Sequence, residues 1–255
     1  LIWRIFCFVL ACAFAAPAEA RVFNYKDSGL AAYIRGTGGL SAVAKKPFAK
    51  SSGTDTSVDG ESKYVYSGEI GGMFRFGGNA NLRIGAELIQ HRPVKEASGT
   101  SAAGNERFTM DSSVFVFNPN ITLEYVYSGA GNLRYYAAFG VGLADVTVEN
   151  RYTMTTQGTT DLGVGSFNEK MAASTTSGHF MIGLETLFVD NATFSLDVGY
   201  RHLPVKSMKY KGDVANIVGG GTKGADALNH DGSKRSMDLG GLMVGVGFRF
   251  YMNFL

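Results

Sequence analysis

The sequence predicts an all-β chain that closes into an eight-stranded antiparallel up-and-down transmembrane β-barrel. Three observations carry that expectation. An apolar and a polar set alternate with period two in segment after segment, connections between segments are short and long in turn, and the polar sets hold arginines and acids but no lysine.

The segments can be read in order. A weak first strand covers Leu30 to Thr37, with Arg35 on its polar face. Tyr64, Tyr66, Gly68, Ile70, Gly72, Phe74 and Phe76 then oppose Val65, Ser67, Glu69, Gly71, Met73 and Arg75. Leu82, Ile84, Ala86 and Leu88 oppose Arg83, Gly85, Glu87 and Ile89, and Phe115 to Tyr127 alternates with an inward set that includes Glu124. Leu133 to Ala144 places Arg134 inward, Phe180 to Phe188 places Glu185 inward, and Phe194 to Tyr200 alternates with Ser195, Asp197, Gly199 and Arg201. The last segment sets Leu242, Val244, Val246, Phe248 and Phe250 against Met243, Gly245, Gly247 and Arg249.

A soluble sandwich turns its charged face to water and favours lysine there. Arginines facing acids suit paired burial inside a narrow cylinder, because the guanidinium fork bonds carboxylates in two places. Short links at Gly77 to Asn81, Ser128 to Asn132 and Val189 to Ala192 contain the Gly, Asn and Asp residues of tight turns. Long polar links cover Leu40 to Lys63, Arg92 to Ser112, Glu149 to Thr175 and Pro204 to Ser236. One rim therefore has turns and the other has loops. Phe74, Phe76, Tyr125, Tyr127, Tyr135, Phe188, Phe194, Phe248 and Phe250 gather near the short-turn rim as an interfacial girdle. Pro119 cannot donate to a ladder, so a bulge there, or a break at Asn118, is expected.

Composition agrees with this class. The 255 residues include 34 glycines, 5 prolines, 12 tyrosines and 18 phenylalanines, and the net charge of +2 argues against a polyanion-binding surface. No apolar stretch after Ala20 reaches the roughly 20 residues of a membrane helix. Residues 1–20 have one basic residue, an apolar stretch and the ending Ala18-Glu19-Ala20, which reads as a cleavable export signal ahead of a barrel over 21–255. A lipoprotein signal ending at Cys12 is the alternative. Both cysteines, Cys7 and Cys12, fall in this segment, so the exported product would hold no thiol.

As a pattern, the mature chain resembles the small outer-membrane barrels of the OmpA, OmpX and OmpW type. The most specific piece is the end, where Gly245, Gly247, Phe248 and Phe250, followed by Phe254, resemble the signal read by the barrel assembly machinery. The chain departs from it by finishing on Leu255. The resemblance implies residence in a Gram-negative outer membrane, with lipids, lipopolysaccharide and the assembly machinery as partners. It leaves the ligand of the surface loops unknown.

The candidate site is the interior. Arg35, Arg75, Arg83, Arg134, Arg201 and Arg249 face Glu69, Glu87, Glu124, Glu185 and Asp197, which predicts a lumen plugged by ion pairs. Pairing Val189 with Thr193 would set Glu185 opposite Asp197, and the first hairpin would set Arg75 opposite Arg83; Arg201 or Arg249 is then expected to neutralise the two acids. Four histidines are present, and Ser177, His179 and Glu185 cannot form a triad, since six residues of strand separate His179 from Glu185 by about 20 Å. Gly219 to Gly221 lacks a strand-to-helix setting, and Asp226, His230 and Asp231 match no metal-loop spacing. No catalytic residue, cofactor, metal or nucleic-acid site is expected. The function expected is a non-enzymatic barrel for surface structure or contact, with a narrow transporter of small hydrophobic solutes and a lipid-modifying enzyme relying on His179 or His202 as alternatives.

Overall fold

The computed structural model describes residues 29–40, 57–59, 64–128, 132–215, 220–228 and 233–252. Residues 1–20, expected to direct export, both cysteines, Phe254, His230 and Asp231 lie outside them. Eight strands form the wall: β1 (Leu30–Leu40), β2 (Tyr64–Gly77), β3 (Ala80–His91), β4 (Glu106–Ser128), β5 (Leu133–Met154), β6 (Phe167–Val189), β7 (Ala192–His202) and β8 (Gly241–Met252). Each pairs antiparallel with its neighbour, and β8 returns to β1, from Leu30 opposite Met252 to Gly39 opposite Met243. The ring is closed.

Closure leaves the outward side chains with no protein to cover them. Ile70, Phe139 and Leu143 are each at least 60% exposed, and they belong to a continuous apolar belt with Ile84, Ile121, Leu123, Ile182, Val198 and Val244. Leaving such a side chain in water rather than burying it costs about 1.5–3 kcal/mol. A belt of this extent is therefore a lipid-facing surface. On β5 it runs from Tyr135 to Leu143, about 27 Å of strand, which a tilt of about 40° reduces to roughly the height of a hydrocarbon core in such barrels. Ring-edge contacts join Phe248 to Phe188 and Phe194, at 5.6 and 5.7 Å between centroids, and Tyr125 to Tyr127 at 4.8 Å, all near the short-turn rim. No described helix is long and apolar enough to cross a membrane; it is the apolar belt on a closed ring that makes the wall the spanning element.

Three expectations change. Pro119 causes neither bulge nor break: β4 runs unbroken from Glu106 to Ser128, Pro119 pairs in register with Ala86, and the β5 pairing resumes in the same register on both sides of the gap at Asn118 and Pro119. A strand this long tolerates missing ladder bonds because intact pairing on either side pins the register.

Second, much of the expected loops is sheet. Strands β4, β5 and β6 continue far beyond the belt, and Val94–Thr100 pairs with the start of β4. Period two persists there with its polarity inverted. Phe108, Met110, Tyr152 and Met171 are buried inward, while Asp111, Arg151 and Lys170 face outward, as expected once water replaces lipid outside. At the top, the short helix α1 (Thr156–Leu162) starts on the Thr155 side chain, which accepts from the Gly158 amide at 3.0 Å, and ends on left-handed Gly163.

Third, the hairpin registers slip by two. Shifts between Arg75 and Gly77 and between Leu187 and Val189 leave Gly77 opposite Ala80 and Val189 opposite Ala192. Gly77 and Gly78 both have positive φ, which lets the first turn tighten to two residues. Arg75 consequently faces Asn81, not Arg83, and Glu185 faces Ser195, not Asp197. These like charges are separated by the bulges.

Candidate functional site in the barrel interior

A small barrel has room inside only for side chains, and a charge there must be paired. Arg35, Arg83, Arg134, Arg201, Arg249, Glu69, Glu87, Glu124, Glu185 and Asp197 are each at most 4% exposed. Every wall strand contributes one member to a single chain of contacts across the lumen. Arg35 on β1 donates through Nε to Asp197 on β7 at 3.0 Å and through NH1 to Glu69 on β2 at 3.4 Å. Arg83 on β3 lies 3.6 Å from both Glu69 and Glu124 of β4. Arg249 on β8 grips Glu124 with both terminal nitrogens, at 2.8 and 2.7 Å, and reaches Glu185 on β6 at 3.2 Å. Arg134 on β5 completes the chain at 2.7 Å from Glu185.

Tyrosines occupy the spaces between. Tyr33 and Tyr251 donate to Glu69 and Glu185 at 2.6 Å each, and Tyr136 donates to Asp197 at 3.1 Å. The guanidiniums of Arg83 and Arg249 sit 4.5 and 4.8 Å from the ring centres of Tyr33 and Tyr136. Two glycines make the crossings possible. A Cβ at Gly245 would lie 2.5 Å from Asp197 and 2.7 Å from Arg35, so its absence lets Arg35 reach across β8. A Cβ at Gly140 would lie 2.3 Å from the His179 ring. The glycines of the C-terminal segment thus have a packing role inside, while Phe250 of the same strand faces lipid.

The expected neutralisation of Glu185 and Asp197 by one arginine does not occur. Arg249 reaches Glu185 and Arg35 holds Asp197, whereas Arg201 bonds Glu87 in a separate tier that also includes Ser67 and Asn118. The two-residue register slip places the acids at different heights and in reach of different guanidiniums. Arg75 lies half-buried at the short-turn rim, away from the tier where its face would have put it.

The serine and histidine of the enzyme reading are tied to other partners. Ser177 donates to Asn118 at 2.8 Å, and His179 Nε2 is 2.9 Å from the Thr122 hydroxyl. His202 is exposed on the outer face of β7. No group of three or more metal-binding side chains exists among the described residues, and Asp226 is paired with Lys234 at 2.7 Å, which holds its carboxyl below the usual range.

Sequence reasoning missed the upper interior. Val205, Met208 and Ala227, from the connection expected to be a polar link, and Leu203, Met237 and Leu239, which flank it, are buried against inward Val65, Ile89, Val114, Val116, Val146, Val148 and Met171. Lys209–Tyr210 pairs with Met171 and Ala172, Thr175 donates to the Pro204 carbonyl at 2.7 Å, and Arg235 bonds Glu169 at 2.5 Å and the Leu228 carbonyl at 3.0 Å. Burial works against the Arg235 charge, but Glu169 and Tyr152 outweigh it and raise its pKa. The available sign was the apolar residues spaced two or three apart at both ends of this segment.

A closed wall, greasy outside and ion-paired inside, defines an integral membrane β-barrel, and the fold is that of the small outer-membrane barrels. No protein-family model matches the chain, and no curated protein matches it in sequence. Among solved structures of similar fold are a major outer membrane protein from Thermus thermophilus (TM-score 0.50, 9% identity, covering 87% of this chain and 99% of that one) and Neisserial surface protein A (0.48, 9%, 88% and 98%). The outer membrane protease OmpT from Escherichia coli is another (0.47, 8%, 88% and 94%). At these identities the likeness extends to the fold alone.

Proposed function

We propose that this chain is a non-enzymatic outer-membrane barrel, closed to solutes, that serves as a rigid mount for its surface segments. The observation that carries this reading is the filled interior: a charged tier drawn from all eight strands below, and an apolar cap from the last connection above. Either layer alone would obstruct a path as narrow as this one. Export through the N-terminal segment, insertion by the assembly machinery and contact with lipopolysaccharide are parts of the same reading. The test is single-channel recording in a planar bilayer. A closed barrel gives baseline current, and large stable openings in the wild type would refute it.

The apolar lining of the upper interior favours one second reading, a narrow pathway for small hydrophobic solutes. In that case the last connection must leave the mouth. Locking it with a cysteine pair across Thr175 and Pro204, whose atoms already meet, would then abolish uptake of a hydrophobic reporter that the unlocked barrel admits.

A further inference from the structure

His91 ends β3 on its inner face, beyond Leu88, the last apolar residue that this strand gives to the lipid belt. It is 1% exposed, and among the described residues neither of its ring nitrogens has a hydrogen-bond partner. A buried polar group left in that state costs about 1–3 kcal/mol. The cap is what encloses it. Val65 of β2 stands opposite His91, and the pairing of Gln90 with Phe115 brings Val114 of β4 beside it. Both valines pack in one cluster with Leu203 and Leu239 at the two ends of the last connection. The Leu239 backbone lies beside the ring without completing a bond to it.

The surrounding charges offer a protonated ring no partner. Arg201 of β7 is the charged group that acts on it, and it repels. Glu87, four residues back on the same face, is bonded to Arg201, Ser67 and Asn118. His179 of β6 is tied to Thr122, and Arg92, Lys206, Lys209 and Asp238 on the adjoining segments are exposed. Val65 and Val114 do not titrate. Burial first, and then the Arg201 charge, disfavour the protonated ring while the cap is seated. Lifting the cap admits water and returns the ring to its ordinary range near 6.5. Docking of the cap is therefore strongest above about pH 6.5 and weakens as the pH falls below it, by up to about tenfold per unit.

We propose that His91 is an acid-sensitive latch beneath the apolar cap: its protonation beside Arg201 releases the last connection from the barrel mouth and bares the valine-lined upper interior. The charged tier below is untouched, so the inference goes beyond the closed-barrel reading and requires no conduction.

Hydrogen–deuterium exchange of the folded barrel in detergent tests it at pH 7.5 and 5.5, a window above the usual carboxylate range. Rates are expressed as protection factors, which removes the intrinsic pH dependence of exchange. The amides of Lys211, Ala227 and Leu239, bonded to the carbonyls of Lys170, Met208 and Leu203, should lose about tenfold in protection at the lower pH, while amides of β4 and β5 within the belt keep theirs. His91→Leu should hold full protection at both values, and His202→Ala, on the outer face, should behave as the wild type. Unchanged protection in the wild type, or a loss that survives in His91→Leu or vanishes in His202→Ala, overturns the latch. If His91→Leu does not fold, His91→Asn takes its place, being neutral at both values. The two readings fail separately: a cap indifferent to pH on a barrel with baseline current removes only the latch, whereas large openings at pH 7.5 remove the closed barrel and leave the exchange result standing.

Discussion

Replacing Arg249 by Met tests the charged tier where it is most connected. The substitution keeps apolar volume but deletes both bonds to Glu124, at 2.8 and 2.7 Å, and the 3.2 Å contact with Glu185. Glu124 retains Asn81 at 3.0 Å and Arg83 at 3.6 Å, and Glu185 retains Arg134 at 2.7 Å and Tyr251 at 2.6 Å. Breaking a buried ion pair by removing one partner costs about 3–5 kcal/mol. The surviving partners place this case at the lower end, about 3 kcal/mol, or roughly two orders of magnitude in the folding equilibrium. Neutralising the orphaned acid should restore part of it, so Arg249→Met/Glu124→Gln is expected to be more stable than Arg249→Met alone. Urea titration of tyrosine fluorescence or of heat-modifiable mobility, in detergent or liposomes, reads both. A single variant within about 1 kcal/mol of wild type would mean that the tier is wet and exchangeable, and the argument from buried pairing would fail.

Other expectations follow from specific contacts. Gly140→Ala sets a methyl 2.3 Å from the His179 ring and 2.4 Å from the Thr122 hydroxyl and should cost about 1–3 kcal/mol in the same titration, with His179→Ala in the same chain relieving part of it and His179→Ala/Thr122→Ala most; no relief from the pair would mean the strain lies elsewhere. Arg235→Ala removes the bond to Glu169 that pins the last connection, so amides of Leu203 to Leu239 should exchange with deuterium about tenfold faster while those of β8 do not change; uniform exchange would refute the pin. Spin labels at Ile70, Leu123 and Val198 should collide freely with oxygen dissolved in the bilayer, whereas a label at Thr122 should be shielded; the opposite ranking would turn the barrel inside out.

The sequence by itself determined the wall. Period-two alternation fixes which side chains share a face, and a chain with apolar residues on the outside of a closed sheet can satisfy its backbone only in that form, so strand number, facing and the charges of the central tier were legible from Leu30 to Phe250, whereas Arg75 stays at the rim and Glu169 with Arg235 above was missed. Two matters were decided only by tertiary structure. Which arginine meets which acid depends on the bulges beside Gly77 and Val189, because a two-residue slip moves Glu185 and Asp197 to different heights without changing their face. The apolar cap depends on Met208, Ala227 and Leu239 meeting Val146 and Met171 across the mouth. Such contacts join residues far apart in sequence, follow no periodicity within the connection, and exist only once the ring has closed beneath them.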